Sequence, residues 1–177
     1  LLFPLTALAV PETLEQFKKL EEAFILPCDE IGNDDCIARV IGINACTFSF
    51  GINKGKKVKE AIGIADLTFA SIMKANNLDI NTIFEKDGSI KKEVKEEAIY
   101  RINMCSDATR ESIPLLLEQT TGAVVNEERI EGATKAFPYS WLHSIERMKK
   151  VSDSINISRE AEAKGSQGIS RVLQEEL

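Results

Sequence analysis

Histidine is nearly missing from this chain: one, His143, stands among 177 residues. Hydrolytic chemistry usually relies on a base that titrates near neutrality, and His143 falls inside the helical pattern Trp141, Leu142, Ile145, where it reads as a surface or boundary residue. Also lacking are a nucleophile elbow, a His-Glu-x-x-His zinc motif and a carboxylate pair set apart from ordinary surface acids. The turn Asp87-Gly88 invites an EF-hand reading, but counting back from Gly88 puts Ile83 at the first ligand position and Val94 at the last. Gly51-Ile52-Asn53-Lys54-Gly55-Lys56-Lys57 is one residue short of a phosphate-binding loop and lacks its terminal Ser or Thr. The chain is therefore expected to be no enzyme and to hold no metal and no cofactor.

Strand alternation long enough to build a sheet is absent, and no repeat period appears. Beyond the first residues, no stretch reads as the run of about 18 apolar residues needed to cross a bilayer, so nothing integral to a membrane is expected. A basic balance is missing too. The net charge is −6, which argues against a nucleic-acid partner, since neutralising phosphates takes a basic face. The local cluster Lys54, Lys56, Lys57, Lys59, flanked by Glu60, reads as a solvated helix start.

What the chain does have is helical periodicity. Thr13-Leu14-Glu15-Gln16 has the form of a capping box, and Leu14, Phe17, Leu20 and Phe24 follow at steps of three and four until Pro27. From Cys36 to Gly51 the chain is nearly uncharged and must be buried; helix and strand both stay open there, with Asp34 and Asp35 favouring a helix N-terminus. Val58, Ile62, Ala65, Phe69, Ile72 and Met73 mark a long amphipathic helix closed by Asn76-Asn77. Asp87-Gly88-Ser89 makes a turn before Ile90, Val94, Ala98, Ile102 and Cys105 mark another. A helix from about Ser112 to Thr121 follows, with Pro114 near its first turn and Gly122 at its end. A weaker pattern through Ile130, Ala133 and Phe137 gives way at Pro138 to Trp141, Leu142, Ile145 and Met148. The charged last segment, with Gly165 and Gly168, should fray. The expectation is an all-α, disulfide-stapled single domain of six to eight short amphipathic helices.

The opening Leu1-Leu2-Phe3-Pro4-Leu5-Thr6-Ala7-Leu8-Ala9 is apolar and ends in Ala-x-Ala, as a signal-peptide remnant would. The expected organisation is a residual signal peptide at 1–9, a helical domain at 10–157 and a helical tail at 158–177, in a secreted, extracellular protein. In an oxidising compartment four cysteines imply two bridges. Cys28, Cys36, Cys46 and Cys105 allow three connectivities, of which spacing favours Cys28 with Cys36 and Cys46 with Cys105. Asn156-Ile157-Ser158 is an N-glycosylation sequon, making Asn156 a candidate glycoprotein site. Phe48, Phe50, Phe69, Met73, Met104 and Trp141 stand out among the aromatic and Met side chains as candidates to line an internal apolar cavity.

Between Cys36 and Cys105, through the Asp-Gly turn and the Lys/Glu-rich helix that ends in Cys (Asp87-Gly88-Ser89-Ile90 to Met104-Cys105), the chain resembles insect odorant-binding and pheromone-binding proteins. That family is acidic, secreted, disulfide-linked and all-helical around an apolar cavity, so the resemblance implies a carrier. The family's pair of cysteines three residues apart has no counterpart, since Cys36 and Cys46 stand ten apart. Its later pair, eight residues apart, is absent, and no binding residue is carried over by motif. The expected function is a secreted carrier of small hydrophobic ligands such as a lipid, odorant or pheromone. The alternative is an extracellular interaction protein without a cavity, an inhibitor, effector or structural component. The tail is the expected route to a homo-oligomer or a protein partner.

Overall fold

The computed structural model describes residues 28–122 and 125–175, with side chains as far as 164. The apparent signal remnant and the helix pattern of Leu14 to Phe24 lie outside the described residues. Within them the chain forms six α-helices and one 3-10 turn, with no strand beyond an isolated antiparallel bridge between Phe84 and Ile90.

The apolar stretch whose period was undecided is a helix. After a single turn, α1 (Cys28–Ile31), Gly32 takes φ 85 and the chain enters α2 (Asn33–Asn53) with Asp34 and Asp35 in its first turn, where carboxylates meet the positive end of the helix dipole. Residues on every side of α2 are buried, among them Cys36, Ile37, Val40, Ile41, Ala45, Phe48 and Ile52. A helix apolar all round carries no amphipathic period, which explains the ambiguity, and it is stable only in the middle of a core. α2 packs against α3 (Val58–Ala75), α4 (Lys92–Asn103) and α5 (Ser106–Thr121).

By length and composition α2 also passes the test for a membrane span, with a mean hydropathy of 1.3, which corrects the expectation that no stretch after the first residues comes near it. In the fold 78% of that span is buried against the other helices, as the core helix of a globular unit is.

Two glycines let the crossings close. A Cβ on Gly42 would lie 2.4 Å from Arg101 Cβ, and one on Gly51 would lie 3.2 Å from Ala61 Cβ, so the backbone of α2 runs directly against α4 and α3. Next to the first crossing, Cys46 is bonded to Cys105 with Cα atoms 5.8 Å apart; Cys28 is bonded to Cys36 at 5.5 Å. These are the pairings that spacing favoured. At the other end of α2, Lys91 Nζ donates to Asp34 Oδ2 at 2.9 Å, tying the entry of α4 to the N-terminus of α2.

Two boundaries differ from the sequence pattern. α5 begins at Ser106, directly after the bonded Cys105, so Pro114 lies in its interior rather than near its first turn. α6 runs from Glu127 to Glu175 without a break at Pro138, Gly165 or Gly168, so it is not a short helix. Pro138 deprives the Thr134 carbonyl of its helical donor; burial of Phe137, Pro138 and Leu142 offsets that loss. By contacts the chain divides into one compact unit up to Leu142 and a second from His143 on.

Candidate functional site

In the first unit the expected ligand residues are only partly gathered. Phe48 and Trp141 do meet, with ring centroids 5.2 Å apart, and Phe137 completes the cluster at 6.2 Å from Phe48 and 5.6 Å from Trp141. Such offset and tilted pairs stabilise beyond their buried area. Trp141 remains half-buried. Its Nε1 donates to Asn44 Oδ1 at 2.9 Å, while Asn44 Nδ2 donates to the Ala65 carbonyl at 2.9 Å. One buried amide thus ties α2, α3 and α6 together. Met73 is buried on α3, one turn beyond the half-buried Phe69, and Phe50 is half-buried on α2. Met104 is 41% exposed at the end of α4, its Sδ 4.0 Å from an Arg101 guanidinium nitrogen.

Sequence reading passed over Asn44 and left Phe137 out of the candidate site. The signal for Asn44 was present: a lone primary amide midway through an apolar helix must find partners there or forfeit the helix's burial.

Among the described residues the chemistry-bearing side chains offer no constellation. All four cysteines are bonded. His143 is largely exposed on α6, with Nδ1 3.9 Å from Glu146 Oε2. Among the described residues no three His, Cys, Asp or Glu side chains cluster as a metal site would require. A buried hydroxyl group of neighbours, Ser49 Oγ and Thr109 Oγ1 at 3.4 Å with Ser112 Oγ donating to the Thr109 carbonyl at 2.7 Å, satisfies itself within the packing of α2 against α5.

The second unit presents a different surface. Met148, Val151 and Ile155 recur at three and four along one side of α6 and are 64%, 59% and 47% exposed. Ser144 and Ser158 continue that side. Arg147 and Arg159 flank it, and neither has an ion-pair partner among the described residues. At 100° per residue, Glu146, Asp153 and Glu160 fall on the opposite side. Two hollows along this stretch are lined by residues of this one helix, which makes them surface grooves rather than enclosed cavities. Asn156 of the sequon is exposed at the edge of the same strip.

No family model, no curated protein and no solved structure matches the chain.

Proposed function

We propose that this chain is an extracellular interaction protein whose contact surface is the Met148, Val151, Ile155 side of α6. One contrast carries the reading. Large apolar side chains of the first unit are mostly packed against one another, whereas three in succession on α6 stand in solvent with arginines at their edges. Apolar residues at three-and-four spacing are the knobs of a helix-on-helix contact, and basic edges select a partner with acidic ones. The occupant we assign is therefore an amphipathic helix of a partner protein with an acidic rim. Two disulfides favour an oxidising, secretory setting. N-glycosylation at Asn156 belongs to the same proposal.

A peptide with Leu at the a and d positions and Glu at e and g serves as the probe. The native protein should bind it in a salt-sensitive way, and Val151→Asp with Ile155→Asp should abolish binding at an unchanged melting temperature. Binding that survives both substitutions sinks the proposal. Concentration-dependent self-association removed by the same substitutions would put a second copy in the partner's place.

The carrier of small hydrophobic ligands is the second reading, favoured by the cluster of Phe48, Phe137 and the half-buried Trp141. A flat apolar ligand would enter by lifting Trp141 from Phe48. Saturable binding of a fluorescent fatty-acid probe at micromolar concentration, with quenching of Trp141 and a raised melting temperature, would restore this reading. No quenching and no shift would remove it.

A further inference from the structure

The four lysines from the end of α2 to the first turn of α3 were set aside above as a solvated helix start, but the structure gives them properties that a solvated start does not need. Lys54, Lys56, Lys57 and Lys59 are all exposed, and none has an ion-pair partner among the described residues. Elsewhere four lysines pair with acids: Lys91 with Asp34, Lys92 with Glu96, Lys135 with Glu131 and Lys149 with Asp153. Lys74, Lys86, Lys150 and Lys164 have no ion-pair partner among the described residues; what sets the cluster apart is four such charges within six residues. The one acid inside the cluster, Glu60, is engaged with backbone, its Oε2 accepting the Lys57 N–H at 3.2 Å.

The loop is also held in one conformation from both sides. α2 ends in a Schellman turn, with Gly55 N–H donating to the Ile52 carbonyl at 2.9 Å and Lys56 N–H to the Gly51 carbonyl at 3.0 Å, around Gly55 at φ 81. From α5, Gln119 clamps the same loop: its Oε1 accepts the Val58 N–H at 3.0 Å and its Nε2 donates to the Lys56 carbonyl at 3.3 Å. Four like charges within six residues repel one another, and a fixed backbone keeps them together. Charge held at fixed spacing without a counter-ion from the protein is what a polyanion site requires, because little loop entropy is lost on binding.

We propose that Lys54, Lys56, Lys57 and Lys59 form a docking site for a sulfated polysaccharide. Between residues 54 and 60 the one apolar side chain, Val58, is half-buried and too small to anchor in a bilayer, and no aromatic is present to stack on a base. Repeated sulfates need only the charges that are there. The site uses none of the residues of the α6 surface and shares with it only the extracellular setting, which the binding measurement does not depend on.

The test is calorimetric titration of the full chain with a heparin hexasaccharide over a series of salt concentrations. Four contacts should give a log–log salt slope of about −3. Lys56→Gln with Lys57→Gln should weaken binding by about tenfold and roughly halve the slope, while Lys92→Gln with Lys135→Gln leaves both unchanged. Gln119→Leu should weaken binding severalfold at the native slope, as a positioning residue would. Three results overturn the proposal: no binding near physiological salt, equal loss from the control pair, or equal affinity for phosphatidylserine vesicles or single-stranded DNA of matched charge.

Discussion

At Gly42 the usual helix rule reverses. Alanine is ordinarily the better helix former by about 1 kcal/mol, yet its methyl group here would enter Arg101 Cβ and press on the backbone behind it. Gly42→Ala is expected to lower unfolding free energy by about 1–3 kcal/mol, seen as a lower denaturant midpoint at unchanged slope. Gly63, with nothing within 4 Å of its added Cβ, is the internal comparison: Gly63→Ala should stabilise by up to about 1 kcal/mol. Asn44→Ala should cost about 1–3 kcal/mol, because it strands the Trp141 N–H that the amide accepts. Trp141 is the chain's single tryptophan, so its emission reports the loss directly, and an unshifted spectrum would mean that the Asn44 contact is absent in solution. Lys91 supplies a pH-dependent case. Its hydrogen bond to the Asp34 carboxylate raises its pKa, against a smaller opposing effect of desolvation. A raised ammonium pKa stabilises fully below the ordinary lysine value of about 10.4 and stops doing so as pH rises through the raised value. The melting-temperature difference between native protein and Lys91→Met should therefore be small, equal at about pH 7 and pH 9, and vanish only in stronger alkali.

At the scale of elements, how well each helix could be read depended on whether it shows one face to solvent. α3 and α4 do, and the spacing of Val58 to Met73 and of Val94 to Ile102 located them. α2 is enclosed, so its pattern had no period, and the acids at its start were the only local signal. α5 follows α4 across Met104 and Cys105 with no Gly or Pro to announce a new start, and Asn103 is still the last residue of α4, which is why its first turn escaped notice. α6 was read as three segments because proline and glycine count as stop signals, while the burial that carries the chain through Pro138 is a tertiary effect. The candidate site was legible to a lesser degree. Aromatic content indicated Phe48 and Trp141, but composition carries no information on whether Met104 turns inward or out. The bridges follow a simpler rule: the cost of losing each scales with the loop it closes. Cys46→Ala with Cys105→Ala, opening a separation of 59, should cost about 4 kcal/mol, and Cys28→Ala with Cys36→Ala, a separation of 8, about 2.5 kcal/mol. Denaturant titrations of the two double variants that reversed this order would show native-state strain or residual structure to outweigh chain entropy.

For the molecule as a whole, the two units should differ in how they melt. Described side chains from 154 to 164 are exposed throughout, and a helix with little packing is held by propensity alone, which is marginal in water. Heating should thus remove part of the far-ultraviolet helical signal before the Trp141 emission changes, and deletion of residues 158–177 should abolish that early phase while leaving the main transition in place. A shared single transition would mean that the end of the chain is integral to the core. A last consequence concerns α2 before its partners exist. If the chain leaves the cell through a protein-conducting channel, this helix meets the lipid exit while α3, α4 and α5 are still to be made, and its hydropathy is that of an anchor. Arg39 and Asn44 lie near its midpoint, where a charged side chain raises the cost of passing into hydrocarbon by about 2.5–3.5 kcal/mol. The amide that later receives the indole N–H would first help to keep the helix from being left behind in the bilayer. Arg39→Leu with Asn44→Leu should accordingly yield a membrane-retained fraction in a translocation assay, with Asn44→Gln still released.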